Sequence, residues 1–543
     1  MIEYDAVIIG GGVNGTGIAR DLALRGLKVC LIEKRDLANG ASGANSGMIH
    51  GGLRYLIYDI ETTRHSCLDS GYIQKIAPHM LFRIPFIMPL QHKFTVPFFE
   101  TYFEVYDKYA ALKNGMPHTL LKKDELRELV PNISDKVKYA VTTDEWGIDS
   151  QRLCVANAVS AAESGAEIRL YSEMVDYLKD ASGNVIGVKV RGRSGDQDLP
   201  ARLVMQATGP WLMKTSAKAG VEVKIRPGKG VHISFDRRLL NYSLILTMVD
   251  GRQSFIMPHE TTTVLGTTDD DYYGDPDDLR VSEDEVEYLL QGAEHYLPDI
   301  RRARMIRAWV GIRPTLFAWG KNEDALSRDH QVFDHETLEG VKGIMSIAGG
   351  KLASYRLMSE EASDLICRKL GVDAKCQTHL IPLPGGDRMP DAKELAQKYQ
   401  VPAYAVHRMI FRHGSRAEQI LELTRERPEL KETICHCEPV LACELVYCLG
   451  KEWANSITDL RNRTRLGTGP CQGMRCAGMA AAILARELDL SAREAEEELM
   501  AFLERRWRGN RPVLEGKTLE QEELSQAKYF LVANLNRLVR EKR

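Results

Sequence analysis

Tyr4-Asp5-Ala6-Val7-Ile8-Ile9, then Gly10-Gly11-Gly12-Val13-Asn14-Gly15, then a helical stretch from Thr16 to Gly26, then Lys28 to Ile32 closed by Glu33: this opening decides the fold. The apolar run at 4–9 reads as a buried strand, and the segment after the glycines carries a helical pattern. Together they give G-x-G-x-x-G between strand and helix, with an acid about 20 residues further on. Each part has a physical task. Gly10 permits the tight turn, Gly12 lets backbone approach a pyrophosphate, and Gly15 allows helix and strand to pack closely. The helix N-terminus offers free N–H groups and partial positive charge to phosphates. Glu33 accepts from ribose hydroxyls. The glycines alone do not separate one dinucleotide from another.

Composition sets the frame around this motif. At 543 residues the chain has room for three to four units of about 150 residues. Hydrophobic residues make up 44% and charged residues 27%, a globular balance. The net charge of −3 argues against nucleic-acid binding through a global positive field. No run of about 18 uncharged apolar residues predicts a spanning helix. Glu3 and Asp5 near the start fit a first strand, not a signal peptide. Eleven cysteines without an export signal point to a reducing cytoplasm. Cys30, Cys67, Cys154, Cys367 and Cys376 are scattered and read as buried apolar residues. The other six crowd between Cys435 and Cys476.

Two later segments bear on the dinucleotide. Ala201 to Gly209 ends in Ala207-Thr208-Gly209 and resembles the second flavin fingerprint of two-dinucleotide-binding-type flavoproteins. Gly343 to Lys351 ends in Gly349-Gly350-Lys351 before a helix, a turn that aims N–H groups at a flavin edge. Three pieces in this order favour FAD over NAD. Ser42, Asn45 and Ser46, in the glycine-rich stretch 40–52, suit backbone lying against that cofactor.

Met48-Ile49-His50-Gly51-Gly52-Leu53-Arg54-Tyr55-Leu56 resembles the signature of the FAD-dependent glycerol-3-phosphate dehydrogenases. So do Gly266-Thr267-Thr268-Asp269, Gly311-Ile312-Arg313-Pro314 and Gly349-Gly350-Lys351-Leu352-Ala353-Ser354-Tyr355-Arg356. The resemblance covers roughly residues 1–385. It implies an α/β fold: a two-dinucleotide-binding-type (Rossmann-like) FAD domain interleaved with an antiparallel-sheet substrate domain, the latter roughly 70–150 and 210–340. It implies that Gly10, Gly12, Gly15, Glu33, Ser42, Ser46, Thr208, Gly209, Gly349, Gly350 and Leu352 hold FAD. Oxidising a secondary alcohol needs a hydride acceptor and a group that takes the hydroxyl proton. A phosphorylated substrate needs fixed cations. By the resemblance, Arg54 and Lys351 anchor phosphate, Tyr55 binds substrate beside them, and Arg313 binds substrate and stabilises developing alkoxide. His50 is the first choice of general base and His232 the second. Ala353 and Ser354 stand where the family usually carries a Thr-Thr pair. Amino-acid or opine oxidases share the scaffold, but need one carboxylate anchor rather than a cationic cluster.

Beyond Pro384-Gly385-Gly386 the composition shifts. Residues 386–430 read as a helical linker, 431–485 as a cysteine-bearing domain, and 486–543 as a charge-rich helical tail. Cys435, Cys437, Cys471 and Cys476 give C-x-C-x33-C-x4-C. Two close thiol pairs suit zinc or a [2Fe–2S] cluster. Zinc accepts no electrons, and the spacing resembles the bacterioferritin-associated-ferredoxin-like [2Fe–2S] module. Gly467, Gly469 and Gly473 give the tight backbone such a loop needs, and Arg461, Arg463, Arg465 and Arg475 are expected to offset thiolate charge. Cys443 and Cys448 read as core.

This combination resembles the large subunits of the anaerobic branch. That implies oxidation of sn-glycerol 3-phosphate to dihydroxyacetone phosphate, with electrons leaving for a membrane quinone through partner subunits B and C. It further implies a peripheral position on the cytoplasmic face of the inner membrane, and FMN in the assembled complex. The apolar segment 81–99, with Pro85, Pro89 and Pro97, is open to core packing or to contact with membrane or partner.

Overall fold

The computed structural model describes residues 3–57, 59–320 and 329–541, and of Arg54, Val539, Arg540 and Glu541 the backbone alone. Among the described residues are two large sheets and a helical C-terminal unit that carries the short strand pair Thr433–Cys435 and Val440–Leu441. The first sheet runs His330–Asp334, Ile344–Gly349, Gly195–Gln206, Tyr4–Ile9, Val29–Ile32, Glu167–Arg169. From Ile344–Gly349 onward these neighbours are parallel, and the edge strand His330–Asp334 is antiparallel. Strands Tyr4–Ile9 and Val29–Ile32 are almost wholly buried, as parallel strands covered by helices must be. The covering helix Val13–Leu24 packs against helices Ser150–Glu163 and Tyr355–Leu370.

The second sheet draws its strands from 81–148 and 225–316, joined where Ser243–Thr247 pairs with Leu81–Leu90. The family resemblance predicts an antiparallel sheet here. The sheet is mixed: Ser243–Thr247 runs parallel to Leu81–Leu90. A parallel neighbour needs a long crossover, and the chain between these strands is long enough to supply one. Strand His330–Asp334, within the stretch assigned to the substrate part, belongs to the first sheet.

Segment 81–99 divides. Leu81–Leu90 is an interior strand whose Pro85 and Pro89 sit opposite Asp144 and Ala140. Pro97 lies in the first turn of helix Val96–Asp107, where its missing N–H costs nothing. Phe94 and Phe98 are left 79% and 60% exposed. Among the described residues no helix is long and apolar enough to cross a membrane.

The C-terminal unit has one core. Val406, Met409 and Ile420 share it with Cys443 and Cys448, and with Phe502, Leu503 and Leu538 from the tail. The 386–430 stretch is therefore part of this folded body and not a tether. Buried ion pairs fasten it to the flavin side. Arg463 grips Asp36 at 2.7 and 2.9 Å, and Arg152 pairs with Glu452 at 2.6 Å. Burial alone would push the Glu452 carboxyl up, but Arg152 and His413 hold it well below its ordinary range. Breaking one partner of a buried pair leaves an uncompensated charge and costs about 3–5 kcal/mol. Asp36→Ala should reduce the unfolding free energy measured in urea by that much, whereas Lys517→Ala, in an exposed pair, should leave it unchanged.

Candidate functional site

The nucleotide end of the site forms where strand Tyr4–Ile9 gives way to helix Val13–Leu24. Gly10 has φ +114°, and a Cβ there would lie 2.5 Å from the Ala207 carbonyl oxygen. A Cβ on Gly15 would lie 1.8 Å from the Gly10 carbonyl oxygen, so only glycine lets the helix approach this closely. Val13 N–H donates to Ser42 Oγ at 2.9 Å. A hydroxyl that accepts there keeps its own hydrogen to donate. Glu33 accepts from Gly11 N–H at 2.7 Å and Arg35 N–H at 2.9 Å. Burial raises its pKa against those two bonds.

A groove of about 560 Å³ runs from Glu33 past Gly12 and Thr208 to the turn at Gly349 and Gly350. Gly349 and Gly350 have φ +79° and +81°, and a Cβ at Gly350 would meet Met358 at 2.3 Å. Leu352 opens the short helical turn ahead of Tyr355–Leu370. Gly12, Ser42, Ser46, Thr208, Gly209 and Leu352 line the groove together. Glycine backbone at the turn, a helix N-terminus above it and an acid at the far end fit an extended FAD.

A second cavity of about 460 Å³ opens over the mixed sheet. Both cavities are lined by Ser46, His50, Tyr55 and Arg313, which therefore mark their junction. Arg313 donates to Asp269 Oδ1 at 2.9 Å, Thr267 Oγ1 at 3.0 Å and Thr268 O at 3.2 Å. Two motifs far apart in sequence thus meet on one guanidinium. Sequence motifs alone give Asp269 no role, although the motif that carries it is plain. Lys351 Nζ stands 4.3 Å over the Tyr55 ring and lines the groove, not the second cavity. The Arg54 side chain lies outside the described residues.

The two histidines differ. Gly52 N–H donates to His50 Nδ1 at 3.0 Å, which puts the hydrogen of the neutral ring on Nε2. His232 is 2% exposed, stacks on Trp309 at 5.1 Å and hydrogen-bonds Ser46 Oγ through Nε2 at 2.9 Å. Burial and the nearby Arg313 push it down to about 3, so it is neutral at neutral pH. Under the His50 loop, Glu145 accepts from Gly51 N–H and from Tyr106, and pairs with buried Lys113 at 2.7 Å. Nothing in the sequence links these three residues to the site.

The cysteines sit apart, at the C-terminal unit. Cys437 Sγ lies 3.9 Å from Cys471 Sγ, and Cys476 Sγ donates to Gly473 O at 3.8 Å. The neighbouring Cys476 thiol and the N–H groups of Gly467, Glu438 and Cys437 pull Cys435 down to about 6, against burial. A Cβ on Gly469 would meet Cys437 Cβ at 2.4 Å. Among the described residues no set of three or more His, Cys, Asp or Glu is placed to hold a metal ion; the thiols stand as two pairs. The expected arginine shield is partly taken elsewhere. Arg463 is neutralised by Asp36 and Arg465 by Glu438; Arg461 and Cys476 feel each other's field, and Arg475 is exposed.

A flavin-type groove opening onto a sheet-lined cavity defines a flavoprotein oxidoreductase. The family described as FAD dependent oxidoreductase matches residues 5–356, and that described as the C-terminal domain of alpha-glycerophosphate oxidase matches 376–495. The chain belongs to the FAD-dependent glycerol-3-phosphate dehydrogenase family. It is 34% identical to the A subunit of anaerobic glycerol-3-phosphate dehydrogenase from Escherichia coli K12, over 97% of this chain and 96% of that one. The corresponding Haemophilus influenzae protein is 32% identical over 98% and 94%. In fold, the chain matches the glycerol-3-phosphate dehydrogenase of Bacillus halodurans, solved with FAD. The TM-score is 0.76 at 24% identity, covering 95% of this chain and 97% of that one.

His330 packs under the Gly349–Gly350 turn, between Asp329 and Glu361 at 3.2 and 2.8 Å. Burial disfavours its charge, but the two carboxylates outweigh this and raise it to about 9. A raised histidine stabilises fully below its unfolded value of about 6.5 and ceases to do so as pH climbs through about 9. Thermal stability of the FAD-loaded protein should therefore fall across that window. His330→Gln should flatten the fall, measured by melting curves at fixed ionic strength.

Proposed function

We propose that this chain oxidises sn-glycerol 3-phosphate to dihydroxyacetone phosphate. The reading rests on Arg313, held by Asp269 at the junction of the flavin groove and the second cavity. When bound, FAD supplies the acceptor for the hydride leaving C2. Arg313 directs its guanidinium at the substrate oxygen and favours the developing negative charge there. Lys351, Tyr55 and Arg54 hold the phosphate. His50 donates from Nε2 to the same substrate oxygen, because its Nδ1 is engaged by Gly52. Ser46 then takes the hydroxyl proton and passes its own to His232 Nε2. His232 is a weak base beside Arg313, and a phosphate dianion in the cavity offsets that neighbouring charge. The order of the two histidines read from the sequence is thereby reversed.

Cys435, Cys437, Cys471 and Cys476 are proposed to hold a [2Fe–2S] cluster; four soft thiols suit iron–sulfur, and the bound cluster would accept electrons singly. Kinship with the large subunits of the anaerobic dehydrogenases supports an assembly with subunits B and C and delivery to a membrane quinone, the chain lying peripherally on the cytoplasmic face. FMN is left to that assembly.

Anaerobic addition of glycerol 3-phosphate should bleach the flavin absorbance, while D-amino acids and opines should not. A preparation that holds FAD yet is reduced only by the latter would sink the reading. Asp269→Asn removes a charge-assisted hydrogen bond worth about 1.5–3 kcal/mol, so flavin reduction should slow about ten- to hundredfold with FAD retained. Cys471→Ser should abolish the reduced-cluster paramagnetic resonance signal and leave flavin bleaching by substrate intact.

A further inference from the structure

Behind the flavin loop lies a third cavity, of about 800 Å³. Its walls are the stretch 38–46, the strand Met305–Leu316 and the helices Ile457–Thr464 and Ala492–Asn510. Arg307, Arg461, Arg505, Arg508 and Arg511 all line it, and none has a carboxylate partner among the described residues. The nearby acids are already engaged. Asp277 is held by Lys34 and Arg35, Asp278 by Arg280 and Glu438 by Arg465, while Asp36 and Asp459, whose fields reach Arg505, are engaged by Arg463 and Tyr171. Arg461 makes one long contact, to Gln472 at 3.4 Å.

These cations work against one another. Burial and the fields of Arg505 and Arg506 push Arg307 down to about 9, and its Nη1 is buried without a hydrogen-bond partner. Burial and the fields of Arg307, Arg505 and Arg465 hold Arg461 well below its ordinary range. Arg307 and Arg461 are half-buried and Arg505, Arg508 and Arg511 exposed, so the desolvation cost falls on the first two, and a bound anion removes it. Guanidinium forks match phosphate oxygens two at a time. The same cavity presents two flat apolar rings, Trp309 and Trp507, which suit an aromatic base.

We propose that this cavity is a second ligand site, separate from the flavin groove, for a nucleotide-sized anion carrying two or more phosphate groups. Arg307, Arg461 and Arg505 receive the phosphates, and the tryptophans receive the ring. Its position is significant. Asn45 and Ser46 form one side and Gln472, the neighbour of Cys471, another, so the ligand would lie between the flavin loop and the cysteine loop. Trp309 also stacks on His232, so the ring pair separates this site from the second cavity. The inference stands whatever alcohol the enzyme oxidises.

The test uses the full FAD-loaded chain, so that the flavin groove is filled. Melting curves and titration calorimetry are run with ADP, with pyrophosphate, and with sulfate at matched ionic strength. ADP should bind most tightly and pyrophosphate next, both raising the melting temperature well beyond sulfate. Arg307→Gln and Arg505→Gln should each weaken ADP binding at least about tenfold, with FAD absorbance unchanged. Without ligand, both variants should be at least as stable as the parent, since like charges have been removed. The proposal is overturned if sulfate matches ADP, if the variants bind ADP undiminished, or if millimolar ADP and pyrophosphate leave the parent unaffected. The last result would point instead to an acidic protein segment as the occupant.

Discussion

The Val13 amide donates to Ser42 Oγ at 2.9 Å, and a few residues on the same loop bonds to the other sheet. Ile148 N–H reaches Gly47 O at 2.7 Å, and Ile49 N–H reaches Trp146 O at 2.9 Å. Asn45 braces the loop between, donating to Ala41 and Ser42 carbonyls and accepting from Gly47 N–H. This double attachment fixes the 41–52 segment against the nucleotide groove on one side and the mixed sheet on the other. Ser46, His50 and Tyr55 stand at the junction of the two cavities because this loop is held at both ends.

Charge placement follows the same logic. Arg313 comes from the mixed sheet, where Asp269, Thr267 and Thr268 aim it. His50 rides on a loop whose Gly51 amide is held by the buried Glu145–Lys113–Tyr106 group. A Cβ on Gly51 would strike Tyr106 and Cys67, which explains a glycine there better than any contact with ligand does. The site is therefore preorganised by groups that never face the substrate.

Buried ion pairs lock the C-terminal unit to the flavin side. Asp36 and Arg152 reach across to Arg463 and Glu452. Such pairs add little net stability but fix register, because each charge left alone is costly. The fixed register sets the distance between the cysteine loop and the flavin loop and encloses the arginine-lined cavity between them.

Sequence by itself determined the strand–glycine–helix opening, the Gly349–Gly350 turn and the identity of the cations. Those features are local: each rests on a backbone conformation or a residue type that neighbours in the chain dictate. The segment at 13–24 became a helix slightly earlier than its pattern indicated, because Ser42 Oγ, from a distant loop, accepts from the Val13 amide at its start. Only the tertiary structure decided that Asp269 aims Arg313, that Glu145 underpins His50, that His232 is neutral, and that Arg463 and Arg465 answer carboxylates instead of thiolates. It also made 386–430 part of a core. These are facts of burial and of long-range pairing, and an arginine or a carboxylate carries no mark in sequence of which partner will share its low-dielectric surroundings.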